Sequence, residues 1–359
     1  MTKKDVVLLS MLAFIPLSML ANWLQFNPVV VFVLSGFAII PLAAWIANST
    51  EGIAEVVGPT LGGLLNSTFG NATELIVSIV ALRAGLVEVV KASITGTIIA
   101  NLLLALGLAT LLGGIRFKEQ SFQPTVARIN ASSLNLAVVV LLTPTAIHFT
   151  SPKGLEESTL NNFSIVLAGL LLVFYGLMLF FSMKTHSHIY RIADEEIDHV
   201  IDPKSRREAL WRQVGVLLIC TIALVFVSEI LVSSLEKAIA TLGFTDLFTG
   251  VILIPIFGGA VEYITAATFA VKNKMDLAVA VAMGSSLQIV MFAAPMLVII
   301  GQVMGQPMNL EFNAFEVLAV AIAVLLTNSI SSDGKSNWLE GSMLLVTYAV
   351  LGAAFYFHP

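Results

Sequence analysis

The chain has 359 residues, of which 57% are hydrophobic and only 11% are charged. This hydrophobic fraction is above the about 45–50% apolar residues of an ordinary soluble domain. Together with the mean hydropathy of +0.94, it excludes that class of protein. The net charge of −5 includes no basic tract for nucleic acid, and the single cysteine, Cys220, excludes a disulfide within the chain.

Apolar segments of about 20 residues recur along the chain, and each is long enough to cross the ~30 Å hydrocarbon core of a bilayer as a helix. Alternating ten-residue strands are absent, so we predict an all-α polytopic membrane protein and not a membrane barrel. The first segment follows Lys3 and Lys4 as in a signal peptide, but no cleavage site follows it, so we expect a retained span. The eleven predicted spans lie near residues 5–24, 28–48, 61–82, 92–115, 128–148, 160–183, 212–234, 247–271, 277–301, 314–330 and 338–357.

The distribution of basic residues predicts the orientation of these spans, because cytoplasmic loops are enriched in Lys and Arg. With a cytosolic N-terminus, all but four of the 18 Lys and Arg residues fall in inner segments. The four in outer segments are Arg83, Lys91, Lys153 and Lys237. Short loops and the absence of a long N-terminal tail favour an integral protein of a prokaryotic inner membrane.

Two sequence motifs each occur twice, and both pairs share one offset of 188 residues. "GNATE" at 70–74 matches "GGAVE" at 258–262, and "GTIIANLLLALG" from Gly96 matches "GSSLQIVMFAAP" from Gly284. The first copies begin in the third span and the second copies in the eighth, five positions later, so the copies cross the membrane in opposite directions, as in transporters whose binding site lies near the midplane. We therefore predict an N-terminal helix (1–26), a five-helix repeat (27–183), a cytosolic acidic linker (184–211) and an inverted second repeat (212–359).

Each copy of the first motif contains one glutamate, Glu74 or Glu262, in an apolar span without a basic partner in its own helix. A lone charge at this depth is costly, so each carboxylate is expected to bind a cation or a proton. The following spans contribute neutral oxygens from Thr95, Thr97, Asn101, Ser285, Ser286 and Gln288. Oxygen ligands without sulfur or histidine suit Ca²⁺, with Mn²⁺ as a second candidate.

Other polar and special residues are assigned supporting roles. Pro255 frees backbone carbonyls that could also coordinate a cation. Glu51, Glu55, Glu229 and Glu316 lie nearer span ends, where we expect solvated or gating side chains. Five motif glycines permit close helix approach, namely Gly70, Gly96, Gly258, Gly259 and Gly284.

The segment 62–107, which holds the first copy of both motifs, resembles the first signature of the calcium/proton antiporters of the calcium/cation exchanger superfamily. Residues 271–289 and 333–341 resemble further parts of that family. The resemblance implies proton-driven export or sequestration of Ca²⁺, with Glu74 and Glu262 as the central carboxylates. Asn71, Ser285 and Gln288 also occupy motif positions, and with Asn101 they complete the expected set of cation ligands.

The second motif departs from the family pattern Gly-Asn-Ala-Ala-Glu-His. Gly259 replaces the Asn, Val261 an Ala and Tyr263 the His. The loss of one amide ligand predicts weaker Ca²⁺ binding than in members that retain it. On this view, Gly259→Asn should lower the KM for Ca²⁺.

The linker is the one long polar segment. Its spacing does not fit an EF-hand loop, so it is either a solvated connection or a regulatory cation site, and the resemblance favours the second. The proposed regulatory acids are Asp194, Glu195, Glu196 and Asp198, which lie among His186, His188 and His199.

The predicted mechanism is competition between Ca²⁺ and protons for Glu74 and Glu262. Removal from water favours the protonated acids, whereas a divalent cation favours the carboxylates and displaces the protons. The empty, doubly ionised state should cross poorly, which couples the two fluxes in opposite directions.

Alternative functions make different demands on the sequence. A Na⁺/Ca²⁺ exchanger should carry an additional acid in the fourth or ninth span, and none is present there. A cation channel stays open as an alternative, because pores also use acidic rings. An intramembrane enzyme would need a motif such as HExxH or paired aspartates, which the central spans lack. We predict no enzymatic activity and no cofactor; the expected partners are the cation, protons and the bilayer, with homo-oligomerisation left open.

Overall fold

The computed structural model describes residues 3–151, 156–190 and 203–358, and these residues are mostly helical. A two-stranded antiparallel ribbon pairs β1 (Glu119–Ser121) with β2 (Lys335–Asn337). The helices are α1 (Lys3–Met11), α2 (Phe14–Trp23), α3 (Pro28–Val57), α4 (Pro59–Phe69), α5 (Ala72–Arg83), α6 (Val87–Phe117), α7 (Pro124–Thr150), α8 (Glu157–Thr185), α9 (Ser187–Tyr190), α10 (Pro203–Leu242), α11 (Asp246–Gly258), α12 (Ala260–Val271), α13 (Met275–Met304), α14 (Ala314–Ile330) and α15 (Trp338–Phe357).

The prediction of an all-α polytopic membrane protein is confirmed. Within the described residues, eight helical segments are long and apolar enough to cross a bilayer, and the bent pair α11–α12 raises the number to nine. The short apolar helix α14 and the pair α4–α5 occupy two more of the expected positions. The count of eleven spans stays a prediction.

Two of the expected spans are interrupted at their motif residues. α4 ends at Phe69 and α5 begins at Ala72, so Gly70 and Asn71 lie between two helices. α11 and α12 meet at Gly259 with a bend of 57°. Each interruption starts a new helix two residues before a central glutamate.

The internal repeat extends from the motifs to the helix boundaries. The offset of 188 residues also separates Ala72 from Ala260, the first residues of α5 and α12, and Val87 from Met275, the first residues of α6 and α13. Both α6 and α13 contain a π-helical segment, at Ala100–Ala105 and Ile289–Ala293. The two sequences thus adopt the same local irregularity at nearly equivalent positions.

The described residues form two compact units, and the first comprises Met1–Val80 and Gly176–Gly243. Its main feature is the packing of α3 along α10, with α1, α2 and α4 also packed against α3. Gly52 of α3 illustrates the close approach, since a Cβ there would lie 2.8 Å from Nε2 of Gln213.

The second unit comprises Ala81–Tyr175 and Phe244–Pro359 and has α6 and α13 in its core. Leu102, Leu103 and Met291 are fully buried there. α6 packs against α15, α12 and the π-helical part of α11, Thr249–Leu253. A Cβ at Gly96 would lie 2.3 Å from the Val251 carbonyl oxygen, so this contact requires glycine.

Loops that the sequence assigns to the same side of the membrane contact one another in the second unit. On the predicted inner side β1 pairs with β2, and Gln120 Nε2 donates to the Ala270 carbonyl at 2.8 Å. On the predicted outer side, His148 Nδ1 lies 3.1 Å from Glu311 Oε1. These contacts agree with the predicted alternation of loops, while the cytosolic position of the N-terminus stays a prediction.

The ribbon carries an exposed ion pair between its strands. Lys335 Nζ lies 2.9 Å from Glu119 Oε1, and this hydrogen bond to a carboxylate raises the pKa of the Lys335 ammonium group. Both side chains are exposed, so the pair contributes little to stability.

Candidate functional site

Asn71 and Glu74 lie in the first unit, at the interruption between α4 and α5. The Asn71 carbonyl accepts from Leu75 N at 3.1 Å and so starts the helical hydrogen bonding of α5. The Asn71 side chain is buried, whereas Glu74 is half-buried in the first turn of α5. The motif GNATE therefore starts a new helix and places its carboxylate at the N-terminal end.

Glu262 occupies the equivalent place in the second unit, in the first turn of α12. The residue is half-buried, but its Oε2 atom is buried and accepts no hydrogen bond from any described residue. Nor does Glu262 form an ion pair within the described part of the chain. A buried carboxylate oxygen with free lone pairs is chemically suited to a proton or a hard cation.

The positions of both glutamates combine two opposed electrostatic effects. The N-terminal end of a helix carries partial positive charge and favours an anion. Removal from water disfavours the same anion. A carboxylate in this position can exchange a proton for a cation, because each ligand relieves the cost of burial.

Asn101 and Ser285 are in direct contact and join the two equivalent core helices of the second unit. Asn101 Nδ2 donates to Ser285 Oγ at 3.0 Å. Asn101 is fully buried, and no described residue donates to its Oδ1 atom. Polar side chains of the two core helices thus meet here, and the amide oxygen of Asn101 stays available; their role as cation ligands stays a prediction.

Gln288 lies one turn after Ser285 on α13, at the last residue before the π-helical segment Ile289–Ala293. Asn101 lies inside the corresponding segment of α6. π-helical turns inside α-helices are frequent at functional sites. Neither π-helical segment is predictable from the sequence, because no composition or periodicity marks it.

The remaining predicted oxygens are engaged within the second unit. The hydroxyls of Thr97 and Ser286 donate to carbonyls of their own helices, at 2.8 and 2.9 Å. Thr95 Oγ1 donates to Glu316 Oε1 at 2.7 Å. These three hydroxyls thus have structural partners, in contrast to Oδ1 of Asn101.

The expectation of a solvated or gating side chain at Glu316 is wrong. Glu316 is only 3% exposed, and its second oxygen accepts from Asn313 N at 2.9 Å. This carboxylate caps the start of α14 and fixes it to Thr95 of α6. This capping box is predictable from the sequence, because Asn313 and Glu316 have the spacing that the motif requires.

The proposed regulatory acids of the linker, Asp194, Glu195, Glu196 and Asp198, lie outside the described residues, as does His199. His186 and His188 lie just before them. The His186 ring stacks on Phe181 with ring centroids 4.0 Å apart. The assignment of the acids therefore stays a prediction.

The chain matches known proteins over nearly its whole length. A model of the family described as "Sodium/calcium exchanger protein" matches residues 27–184 and 212–357. The Ca²⁺/H⁺ antiporter of Aphanothece halophytica is 55% identical, covering 100% of this chain and 98% of its own. The Ca²⁺/H⁺ antiporter of Synechocystis sp. is 53% identical, with 100% and 99% covered.

A solved structure supports the same relationship. The structure of native YfkE matches with a TM-score of 0.84 at 35% identity and covers 98% of this chain and 100% of its own. The family resemblance predicted from residues 62–107 is thus confirmed. The chain belongs to the sodium/calcium exchanger protein family.

Proposed function

We propose that the chain is a proton-driven Ca²⁺/H⁺ antiporter that moves Ca²⁺ across the membrane. Two relatives named Ca²⁺/H⁺ antiporters, at 55% and 53% identity over the whole chain, support this activity. The single structural observation that carries it is the buried, unpartnered Oε2 of Glu262 at the start of a helix inside a membrane span.

In this proposal Glu74 and Glu262 are the exchanging groups, one from each repeat. Both bind Ca²⁺ as carboxylates, and both carry protons when Ca²⁺ is absent. The sequence symmetry suggests that the two act on one ion, because equivalent positions of an inverted repeat converge on one site near the midplane. Asn71, Asn101, Ser285 and Gln288 supply neutral oxygens to the same ion.

Coupling follows from the cost of the empty, ionised site. Two buried carboxylates without a counterion are strongly disfavoured in a membrane. Only the protonated and the Ca²⁺-loaded forms can then change their access from one side to the other. Access alternates as the outer helices rock about the central site, and each cycle exchanges the two ions.

The finer points of this proposal concern the ion, the membrane and the linker. The oxygen ligands also suit Mn²⁺. We place the protein in the inner membrane of a prokaryotic cell with its N-terminus in the cytosol, as a monomer or a homo-oligomer.

The four linker acids are proposed to bind cytosolic Ca²⁺ and to regulate exchange. Neutralising them together should then impair exchange even at 0.3 M KCl, where simple attraction is screened.

The experiment that tests antiport measures uptake of radioactive Ca²⁺ into inverted membrane vesicles under an imposed gradient of protons or of Na⁺. We expect uptake driven by the proton gradient, which stops when an ionophore collapses that gradient. Uptake driven by Na⁺ alone would identify a Na⁺/Ca²⁺ exchanger. Ca²⁺ flux down its own gradient that moves no protons in the opposite direction would identify a channel.

A further inference from the structure

Tyr263 forms a hydrogen bond across the bend between α11 and α12. Its hydroxyl donates to the Pro255 carbonyl at 2.8 Å, and its side chain is only 7% exposed. The Pro255 carbonyl also accepts from Gly259 N at 2.8 Å. Both lone pairs of the Pro255 carbonyl oxygen are therefore engaged, and the two hydrogen bonds hold Pro255 in place at the bend.

Gly259 is the residue that lets this bond form. A Cβ at position 259 would lie 2.4 Å from Tyr263 Oη, 2.6 Å from Cζ and 2.8 Å from Cε1. These atoms belong to a rigid ring held by a hydrogen bond, so they cannot move away cheaply. The Gly259 backbone itself has φ −83° and ψ 7°, which does not require glycine. Space for Tyr263 therefore explains the glycine.

Two of the three departures from the family motif, Gly259 and Tyr263, are thus one structural unit. Glu262 lies between them in sequence, in the first turn that follows the bend. A change in the bend would move the Glu262 carboxylate directly, because only two residues separate it from Gly259. The bond from Tyr263 to Pro255 therefore fixes the geometry from which Glu262 reaches the ion.

We propose that Tyr263 is a positioning residue for ion exchange, acting through the bend on Glu262, with Gly259 as its required companion. This inference rests on the proposed antiport function. It revises the expectation that Gly259→Asn alone improves Ca²⁺ binding, since an Asn side chain cannot enter beside the tyrosine ring. An asparagine at position 259 therefore fits only if the side chain at position 263 is smaller than that of tyrosine.

The test compares Tyr263→Phe with Tyr348→Phe in proteoliposomes under a proton gradient. Tyr348 is a matched control, because its hydroxyl is buried and bonds to no other described residue. We expect Tyr263→Phe to raise the KM for Ca²⁺ about fivefold, the equivalent of one hydrogen bond of about 1 kcal/mol, and to alter the pH profile. Tyr348→Phe should keep the wild-type KM and pH profile.

A second pair of variants tests the companion role of Gly259. Gly259→Asn should raise the KM about tenfold or more, and Gly259→Asn combined with Tyr263→His should return it to the wild-type value or below. These variants keep the inference testable if Tyr263→Phe inserts poorly. The amount of folded protein is determined by size-exclusion chromatography, so that transport is expressed per folded molecule.

The outcomes separate this inference from the proposed function. Wild-type protein without proton-driven Ca²⁺ transport would overturn the proposed function, and this inference with it. An active wild type with unchanged KM and pH profile in Tyr263→Phe would overturn the positioning role alone. The positioning role would also be overturned if Tyr263→His failed to restore the KM for Ca²⁺ of the Gly259→Asn variant.

Discussion

At the scale of single residues, the energetic problem of the protein is concentrated in two carboxylates. A helix N-terminus stabilises an anion by about 0.3–1 kcal/mol at exposed sites and up to ~2 kcal/mol when partly buried. The cost of a charge deep in a membrane is larger, at about 2.5–3.5 kcal/mol on insertion scales. In the proposed mechanism, burial therefore outweighs the helix dipole at Glu74 and Glu262, and a proton or a cation supplies the difference.

Replacing either glutamate by glutamine should abolish exchange. Glu74→Gln and Glu262→Gln keep the size of the side chain but remove both its charge and its ability to take up a proton. We expect proton-driven Ca²⁺ uptake to fall to the level of vesicles without the protein, with normal insertion. Glu157→Gln, at an exposed position, should retain wild-type uptake. Substantial exchange by either core variant would contradict the assignment.

Asn101 offers a separate prediction, because its free amide oxygen has no structural partner among the described residues. Asn101→Ala should raise the KM for Ca²⁺ about tenfold, which corresponds to about 1.4 kcal/mol. The control is Asn135→Ala, which removes an exposed hydrogen bond of 2.8 Å from Asn328 and should leave the KM unchanged. A loss of stability in Asn101→Ala without a change in KM would instead indicate a packing role.

At the scale of helices and strands, hydropathy predicted which segments are helical but not where the helices break. GNATE and GGAVE lie in apolar runs, and a sum of hydropathies does not register the change of direction at Gly70 or Gly259. The ribbon of β1 and β2 has three residues per strand, too few to show an alternating pattern. The π-helical segments depend on the packing of α6 and α13, which single-sequence patterns do not contain.

The close contact between α6 and α11 gives the prediction at this scale. Gly96→Ala would place a Cβ 2.3 Å from a backbone oxygen of Val251, which cannot move without shifting α11. Overpacking of this kind costs about 1–3 kcal/mol, so we expect the Tm in detergent to fall by about 2–10 °C.

The matched control for this contact is Gly169→Ala in α8, where a Cβ would meet no described atom within 4 Å. This variant should keep the wild-type Tm. Gly284, the repeat equivalent of Gly96, likewise has no described neighbour within 4 Å of its Cβ position. The sequence thus predicted close approach correctly at Gly96, and the structure gives no support for it at Gly284. An unchanged Tm in Gly96→Ala would refute the packing argument.

At the scale of the whole molecule, the repeat was readable from the sequence, but the partition of the helices into compact units was not. A shared offset of the motif copies, and their positions in the third and eighth predicted spans, were enough to predict the inverted halves. Each unit nevertheless takes residues from both halves: α3 of the first half packs along α10 of the second. Hydropathy locates the apolar part of each helix, whereas partner choice depends on surfaces that meet only after folding.

The inverted arrangement predicts the sides on which particular loops are accessible. Five predicted spans separate Glu157 from Ser332, so the two positions should lie on opposite sides of the membrane, with Glu157 outside and Ser332 inside. Both are exposed in the structure. Single cysteines are introduced as Glu157→Cys and Ser332→Cys in a Cys220→Ala background, which removes the native thiol.

A membrane-impermeant maleimide applied to intact cells should label the Glu157→Cys variant, and the Ser332→Cys variant should react only after the membrane is opened. Labelling of both variants from the same side would require an even number of spans between them, and the two halves could then not be inverted copies. Labelling with the two sides exchanged would preserve the repeat but place the N-terminus outside. That result would contradict the orientation inferred from the Lys and Arg distribution, because the segments that hold all but four of these 18 residues would then face away from the cytosol.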